Sequence, residues 1–264
     1  MKITLPDNSS RELPEGSSGY DLAKDIGPGL AKSAVAVTID GVQKDLHDEI
    51  MTDSSVSIIT IDSDEGLEIM RHTLTAQVLA RAIKNLYPKS KLAIGPTIED
   101  GFYYDVESEE VISSDDLNKI EEEMKKIIKS KSSITKKLVS KSEAMKVFKS
   151  NKEPYKEIII NESDQDDNFQ LYYQEDEKFV DLCRGPHLPN LGFIGSFKLT
   201  KVSGAYWKGD SNNSMLTRIY GTAFNSDKDL QQHLDNLEEA QKRDHRKLGK
   251  EMDLFHFQDE APGM

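Results

Sequence analysis

A single cysteine and a single tryptophan occur among the 264 residues. The lone Cys183 excludes an internal disulfide and a cysteine-rich zinc module. Long apolar runs are missing as well: no window approaches the ~18 apolar residues that a bilayer crossing needs. The opening Met1-Lys2-Ile3-Thr4-Leu5-Pro6-Asp7 lacks the apolar stretch of an export signal. No membrane association and a cytoplasmic location are therefore expected. Positive charge is scarce, 34 Lys and Arg against 47 Asp and Glu, for a net −13. Such a chain is no general nucleic-acid coat, because phosphate binding rests on clustered cations, although an acidic body can carry a local basic face. Repeats and low-complexity tracts are absent.

What is present is periodic, and the length suggests roughly two domains. Residues 1–62 read as a small α+β roll. Ile3 and Leu5 alternate with polar residues, as in a half-buried strand, and Tyr20 to Ile26 is a short helix stopped by Gly27-Pro28-Gly29. Ala34 to Ile39 is a β-branched strand, Asp40-Gly41 a tight turn into another strand, and Val56 to Ile61 closes the unit. Its histidine, His47, sits among acidic residues and reads as a surface group. A long helix then begins at Ser63-Asp64-Glu65 and ends at Pro88, with Leu67, Met70, Leu74, Val78, Ala82 and Leu86 as its buried stripe. Ala93 to Pro96 and Gly101 to Asp105 read as strands. A helix follows the N-cap run at Ser113, and another spans Ser142 to Phe148. Ile158-Ile159-Ile160, Leu171-Tyr172-Tyr173 and Phe179-Val180-Asp181 read as strands, as do Phe197 to Leu199, Gly204 to Trp207 and Met215 to Tyr220. The last long helix starts near Ser226, with Leu230, Leu234, Leu237 and Ala240 on its apolar side.

Four places carry chemistry. Asp181-Leu182-Cys183-Arg184-Gly185-Pro186-His187 holds a thiol and an imidazole four apart on a turn after a strand. Such a pair binds metal, activates a nucleophile, positions water, or is merely structural. His72 lies about 140° around the helix from Leu67, at 100° per residue, so it faces a neighbouring layer or a cleft. Gly204-Ala205-Tyr206-Trp207-Lys208-Gly209-Asp210 mixes aromatics and a cation, suiting either an RNA end or a plain hairpin with a Trp anchor. Residues 242–250 are the densest basic run, with Lys242, Arg243, Arg246, Lys247 and Lys250 as a helix end or a phosphate contact. Lys156 is an isolated cation with no local signal.

These segments, together with Ile94-Gly95-Pro96, Gly101-Phe102-Tyr103-Tyr104-Asp105 and Arg218-Ile219-Tyr220-Gly221-Thr222-Ala223, occur in the order found in bacterial threonyl-tRNA synthetase, which the whole chain resembles. The resemblance implies an α+β fold: a small ubiquitin-like β-grasp (TGS) domain over 1–62, a two-layer α+β editing domain over 63–225, a linker helix over 226–248, and the start of a truncated class II catalytic domain over 249–264. It implies hydrolysis of mischarged seryl-tRNA(Thr), with a non-catalytic appendage binding the tRNA acceptor stem as the alternative. The expected partner is the acceptor end of tRNA(Thr). The family is homodimeric, while this segment is expected to be monomeric. ATP, Mg and Zn belong to the family's catalytic domain, so no cofactor, no metal and no ligase activity are expected here.

The family's editing site resembles a His-x3-His on the long helix facing Cys-x3-His, with Lys, Tyr and Asp nearby. Carried over, catalytic roles fall to His72, Lys156, Cys183 and His187, and substrate contacts to Tyr104, Asp181, Gly95 and Gln77. Asp181 is expected to hold the substrate amine and Tyr104 to touch the terminal adenosine or the ester. Tyr206, Trp207, Lys208, Lys242, Arg243, Arg246 and Lys247 are the tRNA contacts. One departure stands out. Counted from His72, the second histidine's place holds Ala76; counted back from Ala82-Ile83-Lys84, it holds Gln77. A one-residue insertion rotates the two helix halves by about 100° unless a bulge absorbs it.

Overall fold

The computed structural model of the chain describes residues 1–174 and 177–243. Arg246, Lys247, the end of the expected linker helix and all of 249–264 lie outside the described residues.

The first unit is a five-stranded sheet in the spatial order Ser10–Glu12, Lys2–Thr4, Ser54–Thr60, Ala34–Ile39, Val42–Asp45. Lys2–Thr4 and Ser54–Thr60 run parallel, and the other neighbours are antiparallel. The helix Gly19–Ile26 starts at a capping box between Ser18 and Asp21. It lays Leu22 on Ile3, Val37, Ile39, Ile50 and Val56. Gly27 ends that helix, but the Gly-Pro-Gly run does more than stop it. Pro28 opens a second short helix, Pro28–Ser33, because its fixed φ suits the first helical position.

The second unit has two antiparallel sheets. One orders Ser196–Tyr206, Met215–Phe224, Gly101–Glu107 and Lys91–Leu92, with Thr97–Ile98 pairing against Gly101–Glu107. The other orders Phe179–Leu182, Phe169–Gln174 and Ile134–Val139. The helices Leu117–Lys129, Lys141–Ser150, Pro154–Glu162 and Asp227–Lys242 complete it. The main core joins Met70, Leu74 and Val78 of the long helix to Phe102, Ile120 and Ile219, and it also takes in Val35, Ala36 and Ile59 of the first unit. The two units therefore share apolar contacts. No helix among the described residues is long and apolar enough to cross a membrane.

The long helix resolves the insertion. It begins at Asp64, with Ser63 accepting the Gly66 amide at 3.0 Å. Asp64–Thr73 is α-helical, Leu74–Leu79 is a wide π-helical turn, and Ala80–Leu86 is α-helical again. The Ala80 amide reaches back five residues, to the Thr75 carbonyl. Such a turn holds one residue more than a regular α-helical turn, and the helix continues as α on either side of it. The sequence carried a trace of this. Met70, Leu74, Val78 and Ala82 recur at a spacing of four, which in an unbroken α-helix drifts by about 120° over three steps; all four are buried.

Several elements depart from their reading: Ala93 to Pro96 is the link between the strands Lys91–Leu92 and Thr97–Ile98, and Phe197 to Leu199 and Gly204 to Tyr206 belong to one strand, Ser196–Tyr206. Ile158-Ile159-Ile160 is not a strand but part of the helix Pro154–Glu162. Pro154 occupies its first turn, and Tyr155, Lys156 and Ile160 supply the buried side. Tertiary packing outweighs the β-preference of three isoleucines.

Candidate functional site

A cavity of about 600 Å³ opens between the long helix, the segment at Ile94-Gly95-Pro96, the helix carrying Lys156, and the Cys183 loop. His72 and Ala76 line it from the long helix, Lys156 and Ile159 from Pro154–Glu162, and Asp181 and Cys183 from the end of Phe179–Leu182. The four residues expected to be catalytic are close together, although His187 stands behind His72 rather than on the wall.

The strand Phe179–Leu182 pairs with Phe169–Gln174 and delivers Asp181. The facing helix is anchored by Glu153, which accepts the Leu92 amide at 2.7 Å and pairs with Lys84 at 2.8 Å. Lys156, on its first turn, meets Asp181 at 2.6 Å, with both side chains at most 4% exposed. Burial raises the Asp181 carboxyl above its ordinary range, while Lys156 and the Leu182 amide pull it back down. Its charge is therefore already met inside the protein. Asp181 holds Lys156 in place and also lines the cavity where the expected amine contact falls.

His72 Nε2 lies 2.7 Å from Cys183 Sγ, and its ring meets the His187 ring edge-on with centroids 4.7 Å apart. Behind them, Thr73 fixes a proton. Its hydroxyl lies 2.8 Å from the Ile69 carbonyl, accepts the Leu188 amide at 3.0 Å, and lies 3.1 Å from His187 Nδ1. With one hydroxyl proton, given to the nearer carbonyl, the remaining contact is assigned as His187 Nδ1–H donating to Thr73. His187 Nε2 is then a bare lone pair, buried with no hydrogen-bond partner. Burial lowers both imidazoles below the ordinary 6.5, so both are neutral at pH 7.

His72, Cys183 and His187 offer N and S atoms within 4.8 Å of one another, a set that could hold a metal ion. A tetrahedral zinc with ligands at about 2.0–2.3 Å would keep those ligands farther apart than the His72–Cys183 contact. That contact is a hydrogen bond as it stands, and an ion would have to spread it.

Other expected contacts fall elsewhere. Gln77 is fully buried and held by Gln174, whose Nε2 donates to its carbonyl at 2.7 Å and its Oε1 at 2.8 Å. Ala76, not Gln77, faces the cavity. Tyr104 is buried beneath the wall and donates to Asp181 at 3.4 Å, so it braces the ion pair instead of touching a ligand. Burial beside Asp181 pushes its phenol well up, which keeps it a donor. Trp207 is 6% exposed and packs edge-on against Tyr155 at 4.8 Å, as the anchor of its hairpin and not an open stacking surface. Its neighbours Tyr206 and Lys208 reach the surface, with Lys208 donating to Glu162 at 2.6 Å. Lys242 and Arg243 pair with Glu238 and Glu239 of their own helix. Arg184, not singled out from the sequence, is exposed at the cavity mouth.

Gly95 illustrates how tightly the wall is built. Its segment is held by the Ala93 amide on the Asp105 carbonyl at 3.0 Å and the Asp105 amide on the Ile94 carbonyl at 2.8 Å. A Cβ on Gly95 would lie 2.2 Å from the Tyr104 ring and 2.9 Å from Thr75 Oγ1. Gly95→Ala is expected to cost about 1–3 kcal/mol in a denaturant melt, since neither the ring nor the wide turn can yield cheaply. A melt unchanged from wild type would mean that the wall gives more readily than its packing implies.

The comparisons agree with this architecture. A TGS domain model matches residues 1–60. A model for the threonyl and alanyl tRNA synthetase second additional domain matches residues 170–220, which include the Cys183–His187 loop and the Trp207 hairpin. The chain is therefore of the class in which a TGS domain precedes an editing-type second additional domain of a tRNA synthetase. Over 262 residues it is 52% identical to the threonine–tRNA ligase of Saccharophagus degradans, 51% to that of Hahella chejuensis and 48% to that of Prochlorococcus marinus. Each alignment covers 99% of this chain and 41% of the relative, so the chain is homologous to part of these threonine–tRNA ligases and spans about two fifths of their length.

Proposed function

We propose that this chain hydrolyses the ester of seryl-tRNA(Thr), in support of threonine attachment to tRNA(Thr) by a longer ligase. The need is physical. Serine is threonine less one methyl, and such a difference is worth only about 1–3 kcal/mol in a binding pocket. A second site that admits the smaller residue removes what the first cannot exclude.

The observation that carries the reading is a half-buried imidazole and a buried Lys–Asp pair lining the same cavity. In the proposed step His72 accepts a proton from water as its oxygen bonds to the ester carbon. Lys156 stabilises charge developing on the carbonyl oxygen. The bond to the ribose oxygen then breaks, and that oxygen takes up a proton. Cys183 and His187 hold the His72 ring. Arg184 at the mouth suits the phosphates of the tRNA acceptor end. The step calls on no cofactor, and a cytoplasmic setting fits an enzyme of protein synthesis.

A second reading, a tRNA-binding appendage with weakened or lost hydrolysis, is favoured by one observation: Ala76 occupies the cavity wall four residues beyond His72. Deacylation of seryl- and threonyl-tRNA(Thr) by the 264-residue chain separates the two. Release of serine about tenfold or more faster than of threonine is expected. Tight tRNA binding without turnover would favour the appendage.

A further inference from the structure

The first unit reaches the proposed hydrolytic site through one carboxylate. Asp45 ends the edge strand Val42–Asp45. Its Oδ1 accepts the backbone amide of His187 at 2.8 Å, 142 residues away. Its Oδ2 accepts the Tyr172 hydroxyl at 2.8 Å and pairs with Lys136 at 2.8 Å. The Tyr172 ring meets the His187 ring edge-on, with centroids 4.4 Å apart. The hydroxyl of Tyr172 lies 2.0 Å from where a Cβ on Gly185 would stand. Gly185 has φ +64°, so the loop can turn there and let the tyrosine in. His187 is thus held at its backbone by Asp45, on one ring edge by Tyr172 and at Nδ1 by Thr73. The ring of His72 and the thiol of Cys183 are further neighbours.

We propose that Asp45 is a positioning residue of the hydrolytic site: the first unit supplies the charged acceptor that fixes His187, and His187 in turn sets the His72 imidazole on the cavity wall. A hydrogen bond to a carboxylate is about twice as strong as one to a neutral acceptor, and this one acts on the backbone next to the ring that matters. The first unit on this reading completes the catalytic geometry. The inference rests on the hydrolytic reading, and the two can fail separately.

The test is single-turnover and steady-state deacylation of seryl-tRNA by the wild-type chain, Asp45→Ala, Asp45→Asn and Asp48→Asn, with NMR of the histidine rings. An error of about 1 Å in a reacting group costs on the order of a hundredfold. Asp45→Ala is therefore expected to lose roughly ten- to a hundredfold in kcat, with KM for seryl-tRNA within about twofold and the His187 ring resonances displaced. Asp45→Asn keeps an oxygen for the His187 amide and is expected to lose only about two- to fivefold, with the His187 amide proton moving upfield. Asp48 pairs with Lys136 and accepts the Asp45 amide at 3.3 Å without touching His187; Asp48→Asn keeps an oxygen for that amide, so it is expected to leave kcat unchanged.

Unmoved His187 resonances in Asp45→Ala, or equal kcat losses in Asp45→Ala and Asp48→Asn, would overturn the positioning role. If Asp45→Ala does not fold, Asp45→Asn decides, and an unchanged amide shift together with an unchanged kcat overturns it. An inert wild-type chain would sink the hydrolytic reading alone. The His187 resonances would then decide the positioning role: displaced they support it, unmoved they overturn it.

Discussion

Lys156→Met is expected to lose about 3–5 kcal/mol of folding stability at pH 7, because it leaves Asp181 charged and alone inside the protein. The pair sits 2.6 Å apart with both side chains almost wholly buried. The loss has a pH signature. Burial already raises the Asp181 carboxyl, and without Lys156 nothing of opposite charge holds it down. A carboxyl raised in the folded state binds more protons folded than unfolded. The variant's deficit relative to wild type should therefore be smallest below the ordinary Asp value of 3.8 and should grow as pH climbs through the raised value. Urea melts across pH 4–8 read this directly. Lys156→Met combined with Asp181→Leu should recover much of the loss, since replacing both partners of a buried pair by apolar groups is often neutral or better. A single variant as stable as wild type at pH 7 would mean that the pair is not closed in solution.

His72→Gln is expected to lower the rate of seryl-tRNA hydrolysis by about a hundredfold or more, the usual contribution of a positioned acid–base group, while tRNA binding is kept. Glutamine can hydrogen-bond to Cys183 but cannot accept a proton near neutrality. The wild-type pH profile belongs to the same prediction. Burial lowers His72 and His187 below 6.5, so both take up a proton at a lower pH than an ordinary imidazole. The acid limb of the rate should lie below pH 6.5. Stability should follow the same direction, because an unfolded chain binds protons that the buried rings refuse, and folding weakens as pH drops below the unfolded value. An acid limb above pH 7, or full activity in His72→Gln, would remove His72 from the proton-transfer role.

The sequence made some of this legible and hid the rest for identifiable reasons. The strands of the first unit and the long helix were readable because periodicity and turn chemistry are local. The grouping of Cys183 and His187 was readable because four residues of one loop carry both. The Lys156–Asp181 pair was not, because its members are 25 positions apart on a helix and a strand, and the helix was masked by three consecutive isoleucines. Tyr104 and Trp207 invited a binding role because aromatic side chains suit RNA; only packing could reveal that one braces a carboxylate and the other anchors a hairpin. Asp45 and Thr73 escaped notice because a side chain that orients another has no motif of its own.

The wide turn at Leu74–Leu79 carries a wider lesson for how this chain can change. A turn that holds an added residue lets the length of the chain differ there while the helix continues on either side, even though all six of its residues are packed inside. His72 and the Ala82 end can therefore drift or be selected independently, and related chains are best matched from both ends of the helix inward. Ala76 lies in that turn and on the cavity wall, so the place where an imidazole was expected is also the place where the helix leaves regular α geometry.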